Sequence, residues 1–224
     1  AEEQLPVKAS VGKPAINEVA NASAGELSLE KQSDARFSTI KGDNFNVTFD
    51  NESGTIYNLN YGGETIIADG NGPKLDAFRA FTNNDNWFYG SWFENGLHNL
   101  KHKATASKVI KRKDGSMVLF YTVESQAPNA AKILGGTSSG KNSVEELTDK
   151  VFSDDNFKFT TDQVWTIYRD GSIELQASIT SNNPSLVLPR LGYMMRVPQR
   201  YENYTYYGRG PVENYADRKA GQFI

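Results

Sequence analysis

The sequence predicts an all-β chain built as one large antiparallel β-sandwich. Three observations carry this. Apolar and polar residues alternate with a period of two over strand-length stretches, as where Phe45, Val47 and Phe49 alternate with Asn46 and Thr48. Two of the joints between such stretches hold an Asp-Gly step, Asp114-Gly115 and Asp170-Gly171, which supplies the positive φ that a tight hairpin turn needs. Helical periodicity is scarce, and no internal repeat of the kind that builds a propeller or solenoid is present.

Taken in chain order, the first stretch reads differently from the rest. Residues 1–36 are rich in Ala, Glu, Ser, Lys and Asn, are interrupted by Pro6 and Pro14, and show no sustained period. They read as a linker or the end of a preceding domain, with residues 1–41 assigned there and 42–224 to the sandwich. A start at Ala1 rather than Met fits a processed product or an excised piece. After Phe45–Phe49, Asp50-Asn51-Glu52-Ser53-Gly54 supplies turn chemistry, Thr55–Tyr61 resumes the alternation, and Gly62-Gly63 turns the chain towards Thr65–Ala68. Two longer hairpins follow. Thr105–Arg112 and Met117–Val123 flank Lys113-Asp114-Gly115-Ser116, and Phe157–Tyr168 and Ile173–Ile179 flank Arg169-Asp170-Gly171-Ser172. Leu191–Val197 and Tyr204–Tyr207 add two strand candidates. Ser143–Val151 is the one short helix candidate, and Gly135, Gly136 and Gly140 before it mark an excursion between strands.

Composition narrows the function classes. A chain of 224 residues accommodates one large all-β domain or one with a smaller partner. Lys+Arg 24 against Asp+Glu 27 directs it towards neither nucleic acid nor an anionic membrane, and no run of 18 apolar residues exists. The absence of cysteine excludes disulfides, thiolate zinc sites and thiol nucleophiles, and leaves the compartment open. Aromatic content of 12% suits sheets and sugar-facing surfaces alike.

Several chemistries are weighed against plainer readings. His98 and His102 have the spacing of two zinc ligands on a helix, but Asn99 stands where that motif carries Glu, and a surface loop is the plainer reading. No metal site is expected. No Gly-x-Ser-x-Gly elbow and no phosphate-cradling glycine loop is present. A glycosidase needs two carboxylates across one sugar ring, set in barrels at strand ends, and nothing here alternates β with α to build a barrel. Two stretches remain. From Arg79 to Phe93, the polar run Asn83-Asn84-Asp85-Asn86 precedes five aromatics in seven residues, beginning with Trp87. Amides and a carboxylate suit sugar hydroxyls, and flat rings suit the apolar faces of pyranoses. The alternative is a core filled by the rings and a turn made by the Asn/Asp run. Tyr207–Arg218 is the other stretch. There Gly208, Gly210 and Pro211 fit a tight structural turn, and Asp217 and Arg218 are candidates for an ion pair.

The motif Gly208-x-Gly210-Pro211-x-Glu213-Asn214-Tyr215-x-Asp217-Arg218 resembles the signature of the β-galactosidase small-chain domain, glycoside hydrolase family 2 of the LacZ type. Pro189-Arg190-Leu191-Gly192 is similar to that domain's Pro-Arg-Ile-Gly strand. Arg79-Ala80-x-x-x-Asn84-Asp85 is similar to its Arg-Ala-Pro-x-Asp-Asn-Asp segment, with Phe81-Thr82-Asn83 departing from it, and Phe45–Tyr61 to its opening hairpin. The resemblance covers Gly42 to the end, and it implies that residues 1–41 are the end of a preceding immunoglobulin-like domain and its linker, in a protein of the bacterial cytoplasm or periplasm.

It implies a supersandwich like that of galactose mutarotase, truncated here at its C-terminal end. The family domain continues past the Asp-Arg motif, to a tryptophan that forms part of the sugar site. It further implies catalytic glutamates in a preceding barrel, so that no catalytic residue lies in this chain and the chain alone is inactive. The barrel of the same polypeptide and a β-galactoside substrate are the implied partners, without nucleic acid or membrane. A partial sandwich is expected to self-associate, which makes a homo-oligomer possible. No cofactor is expected in the chain, since the family's Mg and Na ions are bound mainly by other domains. Arg79, Thr82, Asn83, Asn84, Asp85, Asn86 and Trp87 would open a loop near the active-site mouth. A stand-alone carbohydrate-binding module and an aldose mutarotase are the alternatives.

Overall fold

The computed structural model describes residues 24–31, 36–127, 131–134, 143–146, 152–154, 156–203 and 205. Over these the chain is almost entirely antiparallel sheet. The first five strands are β1 (Ser28–Lys31), β2 (Phe37–Lys41), β3 (Phe45–Asp50), β4 (Thr55–Tyr61) and β5 (Glu64–Ile67), paired in that order as one meander. A short β6 (Lys74–Asp76) follows, then a helix, α1 (Tyr89–Glu94). The second large sheet has the order β12-β11-β8-β7, from β7 (Lys101–Lys111), β8 (Met117–Gln126), β11 (Lys158–Ile167) and β12 (Ile173–Ser181). Two small ribbons complete the set: β9 (Ala131–Leu134) with β10 (Ser143–Glu146), and β13 (Gly192–Met194) with β6.

The hairpins form where the turn chemistry places them. Lys111 pairs with Met117 and Ile167 with Ile173. Between them Gly115 has φ 84 and Gly171 has φ 89, the left-handed region that glycine occupies at least cost. Each preceding aspartate closes its turn. Asp114 Oδ1 accepts from Ser116 N at 2.9 Å, and Asp170 Oδ1 accepts from Ser172 N at 2.9 Å.

The period-two pattern buries one face of each large sheet. Phe45, Val47 and Phe49 of β3 point inward, and so do Leu119, Tyr121 and Val123 of β8 and Trp165 and Ile167 of β11. They meet in one core cluster, where Phe49 sits edge-on to Trp165 with ring centroids 5.4 Å apart. Burying a side chain of this size contributes about 1.5–3 kcal/mol, and the edge-to-face geometry adds about 0.5–1.5 kcal/mol. Two facing sheets over a shared apolar layer make the sandwich the alternation predicts. Among the described residues, β7 and β12 are the edge strands of the second sheet. β7 carries Lys101, Lys103, Lys108 and Lys111, charges that oppose pairing with another strand.

A second, smaller core lies beside the first. Leu75, Ala77, Trp92, Leu97, Phe157 and Phe159 form it, with Leu186, Leu188 and Tyr193 packed against it. This cluster seats the loop that carries the aromatic run.

The structure departs from the sequence reading in four places. Ser28–Lys31 and Phe37–Lys41, within the stretch assigned to a linker or the end of a preceding domain, are strands: Leu29 pairs with Ile40, and Ile40 with Val47. Ile40, fully buried, and Leu29, packed against the same core, anchor them, and Glu30 and Lys41 pair at 2.8 Å on the exposed side. Ser143–Glu146, read as the start of a helix, is strand β10, paired antiparallel with β9. The helix lies instead at Tyr89–Glu94, in an aromatic-rich stretch of weak helix propensity held by tertiary packing. Of Leu191–Val197, only Gly192–Met194 is strand. Gly135, Gly136 and Gly140 lie outside the described residues, and so does Tyr204–Tyr207 apart from Thr205. The signature residues Gly208, Gly210, Pro211, Glu213, Asn214, Tyr215, Asp217 and Arg218 also lie outside them.

Candidate functional site

The Arg79–Phe93 loop leaves β6, makes a 3₁₀ turn at Asn83–Asp85 and enters α1. Its frame is an ion pair. Arg79 Nη1 donates to Asp85 Oδ2 at 2.7 Å and Nη2 to Oδ1 at 2.9 Å, a bidentate pair. Asp85 Oδ2 also accepts from the Thr82 backbone N at 2.7 Å and from Thr82 Oγ1 at 3.1 Å. The Arg79 guanidinium first, and the Thr82 amide second, hold the Asp85 carboxyl well below the usual carboxylate range.

Arg79 also binds the loop to a remote segment. Its Nε donates to the Pro189 carbonyl at 3.2 Å, and its guanidinium stands over the Trp92 ring, 5.5 Å from the centroid. Trp92, fully buried, donates its Nε1 to the Val187 carbonyl at 2.8 Å. Arg190, next to Pro189, pairs with Asp76 of β6 at 3.1 Å. The Arg79–Asp85 segment and the Pro189–Gly192 segment, 110 residues apart in sequence, therefore lie against each other.

Arg79 and Asp85 are thus engaged in holding the loop. Thr82, Asn83, Asn84 and Asn86 face solvent, and Trp87 is 89% exposed. Phe81, which stands where the family pattern has proline, stacks on Tyr89 at 4.6 Å. Phe93 meets Phe78 at 5.3 Å and the His98 ring at 4.9 Å. The aromatic run divides: Trp92 belongs to the core, while Trp87 and Phe88 project from the surface. This tip offers amides and a flat ring on a rigid base, an arrangement suited to a sugar or to a neighbouring protein face.

The histidines do not sit in a surface loop. His98 lies in a 3₁₀ turn against Phe78 and Phe93, and His102 lies in β7 with Nδ1 2.9 Å from Ser125 Oγ. Burial pushes the His102 pKa down to about 4, with Lys74 and Lys101 adding repulsion. Both histidines line one pocket of about 440 Å³. Among the described residues, no three His, Cys, Asp or Glu side chains converge to hold a metal, and no helix is long and apolar enough to cross a membrane. Lys74 and Arg196 in that pocket escape a sequence reading, because isolated basic residues give no signal before the fold brings them together.

The geometry defines an antiparallel sandwich with a clasped aromatic loop at one end, a module without a barrel among its described residues. The sequence comparisons give the family. Residues 41–224 match the β-galactosidase small-chain model, and the chain belongs to that family. A β-galactosidase of Priestia megaterium is 25% identical over 224 residues, covering 99% of this chain and 18% of that protein. One of Halalkalibacterium halodurans is 23% identical, covering 81% of this chain and 15% of that protein, and one of Kluyveromyces lactis is 25% identical, covering 84% and 16%. The chain spans less than a fifth of the length of these relatives.

Proposed function

We propose that this chain is a non-catalytic accessory part of a β-galactosidase of glycoside hydrolase family 2, an enzyme that hydrolyses terminal β-D-galactosides. In this reading it packs on a catalytic barrel of the same polypeptide, and the tip of its Arg79–Phe93 loop stands near the active-site mouth. The observation that carries the reading is the family match over residues 41–224, joined to a described fold that is sandwich throughout.

The loop geometry supports a role in positioning. The Arg79–Asp85 pair fixes the base of the loop, so Asn83, Asn84, Asn86 and Trp87 are presented in a set arrangement. A preorganised loop gains more from each contact than one that must first be ordered. Trp87→Ala in the whole polypeptide should raise KM for a chromogenic β-galactoside about threefold to tenfold, with a smaller change in kcat. Unchanged kinetics would remove the loop from the substrate's surroundings.

The 89% exposed Trp87 also fits a stand-alone carbohydrate-binding module. Isothermal titration of the 224-residue chain with galactosides discriminates. Saturable binding by the chain alone favours the module, and binding that requires the whole polypeptide favours the accessory role.

A further inference from the structure

The pocket that holds both histidines is a junction of three chain segments. Met194 of β13 pairs with Lys74 of β6, and beyond the strand the Arg196 N donates to the Asn71 carbonyl at 3.0 Å, which ties Arg196 to the rim. The turn after α1 brings His98, and the start of β7 brings Lys101 and His102. Lys74, Lys101 and Arg196 therefore line one hollow of about 440 Å³, along with His98, His102 and Asp76.

Among the described residues, the two acids placed at these cations, Asp76 in the lining and Asp50 acting on Lys74, are already engaged. Asp76, in the pocket wall, pairs with Arg190 at 3.1 Å. Asp50, whose field reaches Lys74, is bound by Arg36 Nε at 3.4 Å, the Glu52 N at 3.1 Å and Ser53 Oγ at 3.0 Å. Among the described residues, Lys74, Lys101 and Arg196 have no salt bridge, and Lys74 is half-buried. Burial lowers the Lys74 pKa, Asp50 offsets part of this, and Arg196 and Lys101 add to the lowering. The shared lining of the pocket holds the three like charges together. Such a group is stabilised by negative charge brought from outside, and a dianion offsets more of it than a monoanion.

We propose that this pocket is a binding site for a phosphate-type oxyanion, free or carried on a sugar. Lys74 and Lys101 serve as point charges, and the Arg196 guanidinium closes over the ligand from the rim. The site is separate from the loop tip of the proposed function and does not depend on it.

The test is isothermal titration of the full 224-residue chain at low ionic strength with inorganic phosphate, galactose 6-phosphate and galactose. Phosphate and galactose 6-phosphate should bind saturably at one site and galactose should not, with added salt weakening the binding. Galactose 6-phosphate binding more tightly than phosphate identifies a sugar phosphate as the ligand, and equal binding identifies the free oxyanion. Lys74→Met and Arg196→Gln should each weaken binding by about tenfold or more. Should Lys74→Met fail to fold by circular dichroism, Arg196→Gln, at an exposed position, decides alone. The proposal is overturned by the absence of saturable binding to both phosphate compounds, by galactose binding as well as its phosphate, or by folded variants that bind like the parent.

Discussion

The Asp85 carboxylate accepts four hydrogen bonds from Arg79 and Thr82, two from each, and this leaves little of it for a ligand. Its pKa is depressed in the folded chain, so it contributes stability above the unfolded carboxylate value of about 3.9, and that contribution is lost as pH falls towards the lower folded value. Asp85→Asn should speed hydrogen exchange at the Thr82 amide and through residues 82–88, while the β8 and β11 amides stay protected. Uniform loss of protection would mean that the clasp supports the whole sandwich instead. His102 makes a second prediction at this scale. Its pKa falls from 6.5 to about 4 on folding, so the unfolded chain takes up the proton first. Stability is therefore full above pH 6.5 and is lost as pH drops from 6.5 towards 4, by on the order of 3 kcal/mol across that window. Lys74 and Lys101 face the ring, and their charge adds to the depression that burial causes. His102→Gln should flatten the change in urea midpoint between pH 7 and pH 5, and an unchanged slope would assign it to other groups.

At the scale of elements, the two sheets are held by apolar side chains that meet across the sandwich. Phe49 is fully buried and touches both Trp165 and Tyr121 of the facing sheet. Phe49→Ala should cost about 3–5 kcal/mol in urea unfolding, whereas Lys108→Ala on the exposed edge strand β7 should change stability by less than about 0.5 kcal/mol. Similar losses at the two positions would contradict this placement of the core. The hairpins around Gly115 and Gly171 were legible because strand alternation and turn chemistry are both local. β6 was not, because its order is set by a partner distant in sequence, Met194 for Lys74. Helix α1 was hidden for a related reason: Trp92 is held by the Val187 carbonyl and the Arg79 guanidinium, neither of which belongs to the helix. The candidate site was legible in part. The Asn/Asp run and its aromatics marked the loop, but nothing local shows that Arg79 and Asp85 bind each other or that Trp87 alone stands 89% exposed.

For the whole molecule, a sandwich of the β-galactosidase small-chain family spans under a fifth of the length of the relatives it matches, and the role proposed for it depends on what it adjoins. Glycoside hydrolysis places two carboxyl groups across a sugar ring, about 5–5.5 Å apart in retaining enzymes and farther apart in inverting ones. Among the described residues, the buried carboxylates Asp50 and Asp85 are each engaged by an arginine, Arg36 and Arg79, which suits an ion pair better than a general acid. The most direct measurement compares turnover of a chromogenic β-galactoside by the 224-residue chain and by the whole polypeptide that contains it. Hydrolysis by the whole polypeptide and none above background by the chain is the expected result. Turnover by the chain alone would contradict it.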